Sequence, residues 1–579
     1  MNGSGESRTR ILDPEFLRRQ TVGVDAEFQT PFGRRLMVYG DYTASGRCLR
    51  FVERYVMHLQ RIYANTHTED DISGRSMTQL MHQAEQTIKD AVHAGTHGKL
   101  VAVGAGCTAA IDRFQQIVGV HWAPVTRQLV ATLVQRHLGS DQSQALQAFM
   151  EAHRPIIFLG PFEHHSNELT WRQGFADVRE VKLADDGGLD LEHLRFLLQA
   201  EQDRDRLKIG SFSAASNVTG MRTPVHQIAR MLHAHGALAC FDYAACAPYV
   251  EIDMNPEPGP EGGDPSLDAV FISPHKFLGG PGSSGVLVFQ ERIYHRDLPP
   301  SVSGGGTVDY VGLDDQDFTE DIEIREKAGT PGVLQTMKAA LAFEVKRAVG
   351  VDRIEAMEHA MLEKAFRRWS SNPALEILGN QDPARRIGIV SFNIRDPRGL
   401  YLHPRLLTVL LNDLFGIQSR AGCSCAGPYG HRLLGIDLER SERYRKWVQK
   451  GYQGIKPGWC RLGFHFTMDP AEVDYILDAV DFLAREGHRF LPLYAFDLKE
   501  ATWTHKQDPG LAEAFSLQAA LQNPLQEGGA LSTEMRRRLY RSYLQEAESL
   551  ASTLASQGER PLRRLPGELG ELQFFSLSD

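Results

Sequence analysis

The chain has 579 residues, more than a single hydrophobic core organises, so at least two domains are expected. Its 42% hydrophobic and 23% charged residues are ordinary for a globular protein, and a net charge of −10 argues against nucleic acid as a principal partner. No stretch approaches the roughly 18 uninterrupted apolar residues of a membrane span, so no membrane partner is expected.

The opening "MNGSGESRTRILDPEF" is polar and lacks the apolar core of a secretory signal. The seven cysteines (48, 107, 240, 246, 423, 425 and 460) are an odd, scattered set. That pattern suits a reducing cytoplasm better than a disulfide framework, and a cytoplasmic location is expected. No metal centre is expected.

In chain order, residues 1–36 read as an N-terminal tail. Residues 37–95, largely helical after "LMVYGDYTASG", read as a segment serving the smaller domain and a substrate loop. Between about 96 and 345, short apolar runs alternate with amphipathic stretches: "KLVAVGAG" (99–106), "RPIIFLG" (154–160), "LKIGSFSAAS" (207–216), "ALACFD" (237–242), "DAVFIS" (268–273) and "GVLVF" (285–289). Strands separated by helices predict a large α/β domain around a mainly parallel sheet covered on both faces. Residues 121–153 read as a helical insertion. From 346 to 490 the strand candidates "RIGIVSFNI", "FGIQSR" and "WCRLGFHF" lie among helical stretches, which predicts a smaller α+β domain. Residues 491–579 read as a helical C-terminal extension, in which Met535, Leu539 and Leu544 recur at roughly helical spacing.

In a sheet of this kind ligands gather beyond the carboxyl ends of the strands, and the chemistry-bearing residues fall there. Asp242 follows "ALACF", and "SPHK" with Lys276 follows "DAVFI". A lysine at that point is out of place on a solvated face. "GAGCTAA" (104–110) is a Gly-rich turn opening a helix, which offers free N–H groups and a favourable dipole to a phosphate. "EHHSNELTW" (163–171) presents a histidine pair after another strand. A lysine, an aspartate, a phosphate nest and a flat ring are the parts that hold pyridoxal 5'-phosphate. The carboxylate keeps the pyridine nitrogen protonated, and a lysine of lowered pKa carries protons.

From about residue 37 to 490 the chain resembles the class V, fold-type I pyridoxal phosphate enzymes, and within them the cysteine desulfurase and selenocysteine lyase group. "GDYTASG" resembles the family's opening strand and turn, and "YANTHTEDDISG" its N-terminal substrate loop, which makes Asn65 and His67 substrate contacts. The resemblance implies that His164 of "EHHSN" stacks on the cofactor ring and serves in catalysis. It implies that Asn217 of "SNVTG" hydrogen-bonds the phenolic oxygen. Ser273 and His275 would reach the phosphate with Cys107 and Thr108, and Lys276 the aldehyde. Thr330 of "KAGTPG" would reach the phosphate of a neighbouring subunit, which implies a homodimer.

"SRAGCSCAGPYG" (419–430) resembles the desulfurase loop, with Cys425 as nucleophile and Arg420 beside it. Arg461 of "WCRLGF" matches the arginine that clamps an amino acid carboxylate, a task suited to a guanidinium fork. The expected reaction removes sulfur from L-cysteine, or a related sulfur or selenium amino acid, leaving alanine and a Cys425 persulfide. A protein or small molecule would then accept the sulfur. Two departures bear on this. "DYAAC" puts Ala245 where the family often has glutamine against the cofactor, and the loop reads "CSC". Both resemble molybdenum-cofactor sulfurases. Another class V reaction, a C–S lyase, aminotransferase or epimerase step with Cys425 incidental, is the alternative. Cys423 is open between relaying sulfur, pairing reversibly with Cys425, and packing.

Overall fold

The structure, a computed structural model, describes residues 12–66, 68–201, 205–260, 262–508, 510, 531–558 and 561–578. The described chain divides into two units. Unit 1 takes in residues 45–216 and 221–352, and unit 2 takes in 12–44, 217–220 and 353–578.

Unit 1 is built on seven strands: β1 (Gly98–Val103), β2 (Ile156–Leu159), β3 (Asp177–Glu180), β4 (Lys208–Ser213), β5 (Ala237–Asp242), β6 (Ala269–Ile272) and β7 (Gly285–Gln290). Their order across the sheet is β1-β7-β6-β5-β4-β2-β3. β7 runs antiparallel to both its neighbours, and the other pairings are parallel. Strands β2, β4, β6 and β7 are buried along their whole length. Continuous apolar runs such as "IIFL" and "AVFI" are what a sheet covered on both faces requires. On one face Ala110, Ile111 and Phe114 pack against Val101, Phe271 and Leu287.

The only strand of this sheet absent from the sequence reading is β3. Its residues "DVRE" are half-buried at the sheet edge, so no apolar run marks them. The helical insertion takes the form of Pro124–Ala152, broken at Gly139 (φ 74°), and none of its residues is buried.

Unit 2 holds a four-stranded antiparallel sheet of β8 (Leu375–Ile377), β9 (Ile389–Ile394), β10 (Arg420–Gly422) and β11 (Trp459–Gly463), in the order β8-β9-β11-β10. Helices α1 (Pro404–Phe415) and α2 (Pro470–Glu486) contribute long buried faces to its core. The extension begins with a β-hairpin, Tyr494–Asp497 against Thr502–His505, and continues as helix α3 (Thr533–Ser556). The face α3 buries is Arg536, Tyr540, Tyr543, Ala547 and Ala551, whereas Met535 is exposed and Leu539 and Leu544 are half-buried. Tyrosine, rather than the aliphatic residues, makes the seam, with Tyr540 stacked on Tyr475 of α2 at 4.1 Å.

Candidate active site

Strands β5 and β6 are adjacent, and Asp242 pairs in register with Phe271, so their carboxyl ends place Asp242 and the turn carrying Lys276 side by side. Asp242 is 4% exposed and accepts a hydrogen bond from the Ala244 N–H at 2.8 Å. Burial pushes its carboxyl up from the ordinary range. The Ala244 N–H, the Lys276 charge and the Cys107 thiol pull it back toward ionisation. A buried anion of this kind asks for a cation or a protonated ring opposite it. Lys276 itself is half-buried, in the short turn Pro274–Lys276. That turn is strapped from behind: the Gly46 N–H donates to the His275 carbonyl at 2.9 Å, and the Ser45 hydroxyl donates to the same oxygen. Burial and the neighbouring Lys276 lower the His275 imidazole to about 4, so it is neutral.

The helix Cys107–Ile117 starts at this edge, with Gly106, which has no side chain to cap it, in the N-cap position. The Cys107 N–H donates to Ser273 Oγ at 2.9 Å, which leaves the Ser273 hydroxyl proton for another acceptor. A Cβ on Gly106 would lie 3.0 Å from Ser273 Oγ, so any larger residue there would crowd the serine hydroxyl. Exposed Thr108 exchanges a hydrogen bond with Ser166 at 2.7 Å. Cys107 points the other way: it is buried, and burial drives its thiol far up from the usual range.

His164 caps the short turn His165–Asn167, its Nδ1 accepting from the Ser166 N–H at 3.1 Å. An acceptor at Nδ1 puts the proton of the neutral ring on Nε2. The cap therefore sets both the ring's orientation and its tautomer. Ala245 is buried beside Asp242, and Thr330 is exposed.

In unit 2, Arg461 on β11 is buried, its side chain 4% exposed. It donates to the Asn217 carbonyl at 2.9 Å and to Asp41 Oδ1 at 3.1 Å. Arg420 on β10, directly across the ladder from Arg461, donates to the other Asp41 oxygen at 2.9 Å. Burial lowers the Arg461 pKa; Asp41 opposes that, and Cys425 also supports its charge. Asn217 donates to the Ser424 carbonyl at 2.7 Å, while its Oδ1 is buried with no hydrogen-bond partner among the described residues. Ser424 Oγ accepts from the Trp459 indole at 3.2 Å. These two bonds pin a loop in which Ser424 (φ 49°) and Cys425 (φ 55°) are both left-handed, a conformation that costs of order 1 kcal/mol per residue. Cys425 is exposed and Cys423 half-buried.

The structure thus gathers Lys276, Asp242, Ser273, His275, Cys107 and Thr108 at one strand edge of unit 1. It gathers Arg461, Arg420, Asn217 and Cys425 around one patch of unit 2. Asn65 is exposed, and His67 lies outside the described residues. Two participants carry no role in the sequence reading, although both stand in motifs it quotes. Asp41 of "GDYTASG" is the carboxylate shared by both arginines, and Glu163 of "EHHSN" is a buried acid behind His164. A single acid distant in sequence from its arginines leaves no spacing to find.

These residues fit pyridoxal phosphate. A buried carboxylate beside a lysine and a glycine-opened helix N-terminus at the same strand edge are the observations that say so. The fold and site define a pyridoxal phosphate-dependent enzyme. Residues 143–476 match the Aminotransferase class-V family, and the chain belongs to it.

A probable cysteine desulfurase of Streptomyces coelicolor is 25% identical over 478 residues, covering 81% of this chain and 97% of that protein. Another from Halalkalibacterium halodurans is 27% identical, covering 68% of this chain and 84% of its own. Among solved structures, the apo cysteine desulfurase of Thermococcus onnurineus NA1 superposes with a TM-score of 0.59 at 22% identity, over 77% of this chain and 94% of that one. A cysteine desulfurase of Escherichia coli gives 0.58 at 19% identity, over 82% and 98%. At these identities the structural likeness bears on the fold.

Proposed function

We propose that the protein is a cysteine desulfurase that moves the sulfur of L-cysteine onto Cys425. The observation that carries this reading is the exposed Cys425, on a loop pinned by Asn217 and Trp459. The desulfurase relatives, matched over most of their length, support it.

Lys276, Asp242, His164, Asn217, Ser273, His275, Cys107 and Thr108 would hold pyridoxal phosphate, with Ala245 lining its pocket. Bound, that group supplies an electron sink for the carbon next to the substrate amine. Asp242 holds a proton at the pyridine nitrogen. The Ser273 and Thr108 hydroxyls at the start of the Cys107 helix would bind the phosphate, and His164, oriented by its own cap, would cover the ring. Lys276 moves a proton at the α-carbon. Arg461 binds the substrate carboxylate with N–H groups left after Asn217 and Asp41 are served, and Arg420 holds Asp41 in place. Asn65 and His67 belong to the substrate loop.

The Cys425 sulfur then bonds to the substrate sulfur as the substrate's C–S bond breaks. The carbon gains a proton, giving alanine, and the protein keeps a persulfide. Atoms balance without an added oxidant, and an external thiol or protein takes the sulfur onward. Thr330, exposed on unit 1, is assigned to the phosphate of a second copy, which makes the working form a homodimer. No helix among the described residues is long and apolar enough to cross a membrane. The odd, scattered set of seven cysteines, which suits a reducing compartment, supports a cytoplasmic location.

The test supplies L-cysteine and a reductant and measures alanine together with persulfide on the 419–430 peptide. Cys425→Ser should lower alanine formation by about 100-fold or more while pyridoxal phosphate binding is unchanged. Alanine formed at the full rate by that variant would remove Cys425 from the reaction.

A further inference from the structure

Behind His164 lies a buried carboxylate that the reaction does not use. Glu163 is 4% exposed and sits between the ends of two neighbouring strands. Its Oε1 accepts from the Gly160 N–H just after β2, at 3.2 Å, and from the Ser213 N–H at the end of β4, at 2.9 Å. Its Oε2 accepts from Ser213 Oγ and from Asn167 Nδ2, both at 2.7 Å. Four donors thus converge on one carboxylate from three segments. A Cβ on Gly160 would lie 2.4 Å from Oε1, so only glycine lets the carboxylate lie against that backbone.

Asn167 extends the web. Its Oδ1 accepts from the Trp171 indole at 3.0 Å and from the Ser211 hydroxyl at 2.6 Å. Asn167 closes the turn that His164 opens. The histidine is therefore held between a carboxylate on its own N-terminal neighbour and an amide three residues on.

We propose that Glu163 is a positioning residue for His164, fixing the height and tilt of the imidazole over the cofactor ring by tying its turn to β2 and β4. The inference rests on the cofactor reading given under Proposed function. The alternative for such a group is a fastener of the sheet as a whole, and the wiring speaks against that: every donor lies either at a strand end or in the turn that bears His164. Burial and Asp242 push the Glu163 carboxyl up to about 7, and the Ser213 and Asn167 donors pull it down.

The experiment is a double-mutant cycle read by titrating the apoprotein with pyridoxal phosphate and following absorbance. In the otherwise native chain, Glu163→Gln turns one acceptor into a donor and should weaken binding about tenfold, and Ser213→Ala should weaken it about threefold. In a His164→Ala background both losses should shrink to less than about twofold, because the ring they position is gone. Equal losses in the two backgrounds, or no loss in the native one, would overturn the proposal. Should Glu163→Gln fail to fold by circular dichroism, Ser213→Ala, which deletes one hydroxyl, carries the same test. A native chain that binds no pyridoxal phosphate sinks the cofactor reading and this inference with it.

Discussion

At Asp242 two opposed forces meet. Burial favours the neutral acid, while the Lys276 charge and the Ala244 N–H favour the carboxylate. A protonated pyridine nitrogen placed opposite would settle the contest for the anion, which explains why an acid is kept in an apolar strand end. Asp242→Asn keeps the shape but removes the charge. It should lower the rate of alanine formation by about 100-fold or more with little change in thermal stability, which steady-state kinetics and calorimetry would check. A variant as active as the native protein would show that the carboxylate is structural. Arg461 poses a related problem in unit 2, solved by sharing Asp41 with Arg420. Replacing it by lysine leaves a charge but no planar fork, so Arg461→Lys should raise the KM for L-cysteine roughly 10- to 100-fold.

At the scale of elements, strand ends and turns were legible because the chemistry leaves a local trace. An apolar run that stops at a polar residue, as "ALACF" stops at Asp242 and "DAVFI" at "SPHK", marks both the strand and what it presents. Elements lacking that trace were not legible. β3 and β8 are three- or four-residue strands at sheet edges. The buried face of α3 went unread because tyrosines carry it, with Arg536 paired to Asp469 at its start. That seam has a measurable weight. Tyr540→Ala removes a buried ring stacked on Tyr475 and should cost about 3 kcal/mol, lowering the urea midpoint of unfolding. A shift below a few tenths of a kcal/mol would mean that α3 does not stabilise the unit it lies in.

For the whole molecule, stability should depend on pH through two histidines of unit 2. His403 and His465 are fully buried, and burial lowers each to about 3. Each ring's Nδ1 already accepts a backbone N–H, from Arg405 and Thr467 respectively, so protonation would break a native bond. With folded pKa values below the unfolded 6.5, the unfolded chain binds more protons between the two. The stability they contribute is complete above about 6.5 and is lost as pH falls toward 3. Urea midpoints should therefore drop between pH 7.5 and 5, and the drop should be smaller in His465→Asn. An unchanged midpoint would show that these rings titrate normally.

The shared carboxylate at Asp41 and the fourfold junction at Glu163 depend on residues brought together by folding, and no spacing announces either. Lys276, proposed as the cofactor lysine, by contrast stands in the sequence itself. Its role is the claim on which the rest depends, and one measurement addresses it directly. The native protein is loaded with pyridoxal phosphate, reduced with borohydride, digested and mapped by mass spectrometry. The expected result is a pyridoxyl group on the peptide carrying Lys276 and on no other lysine. A label elsewhere, or none, would contradict the assignment of Lys276 and the reaction built on it.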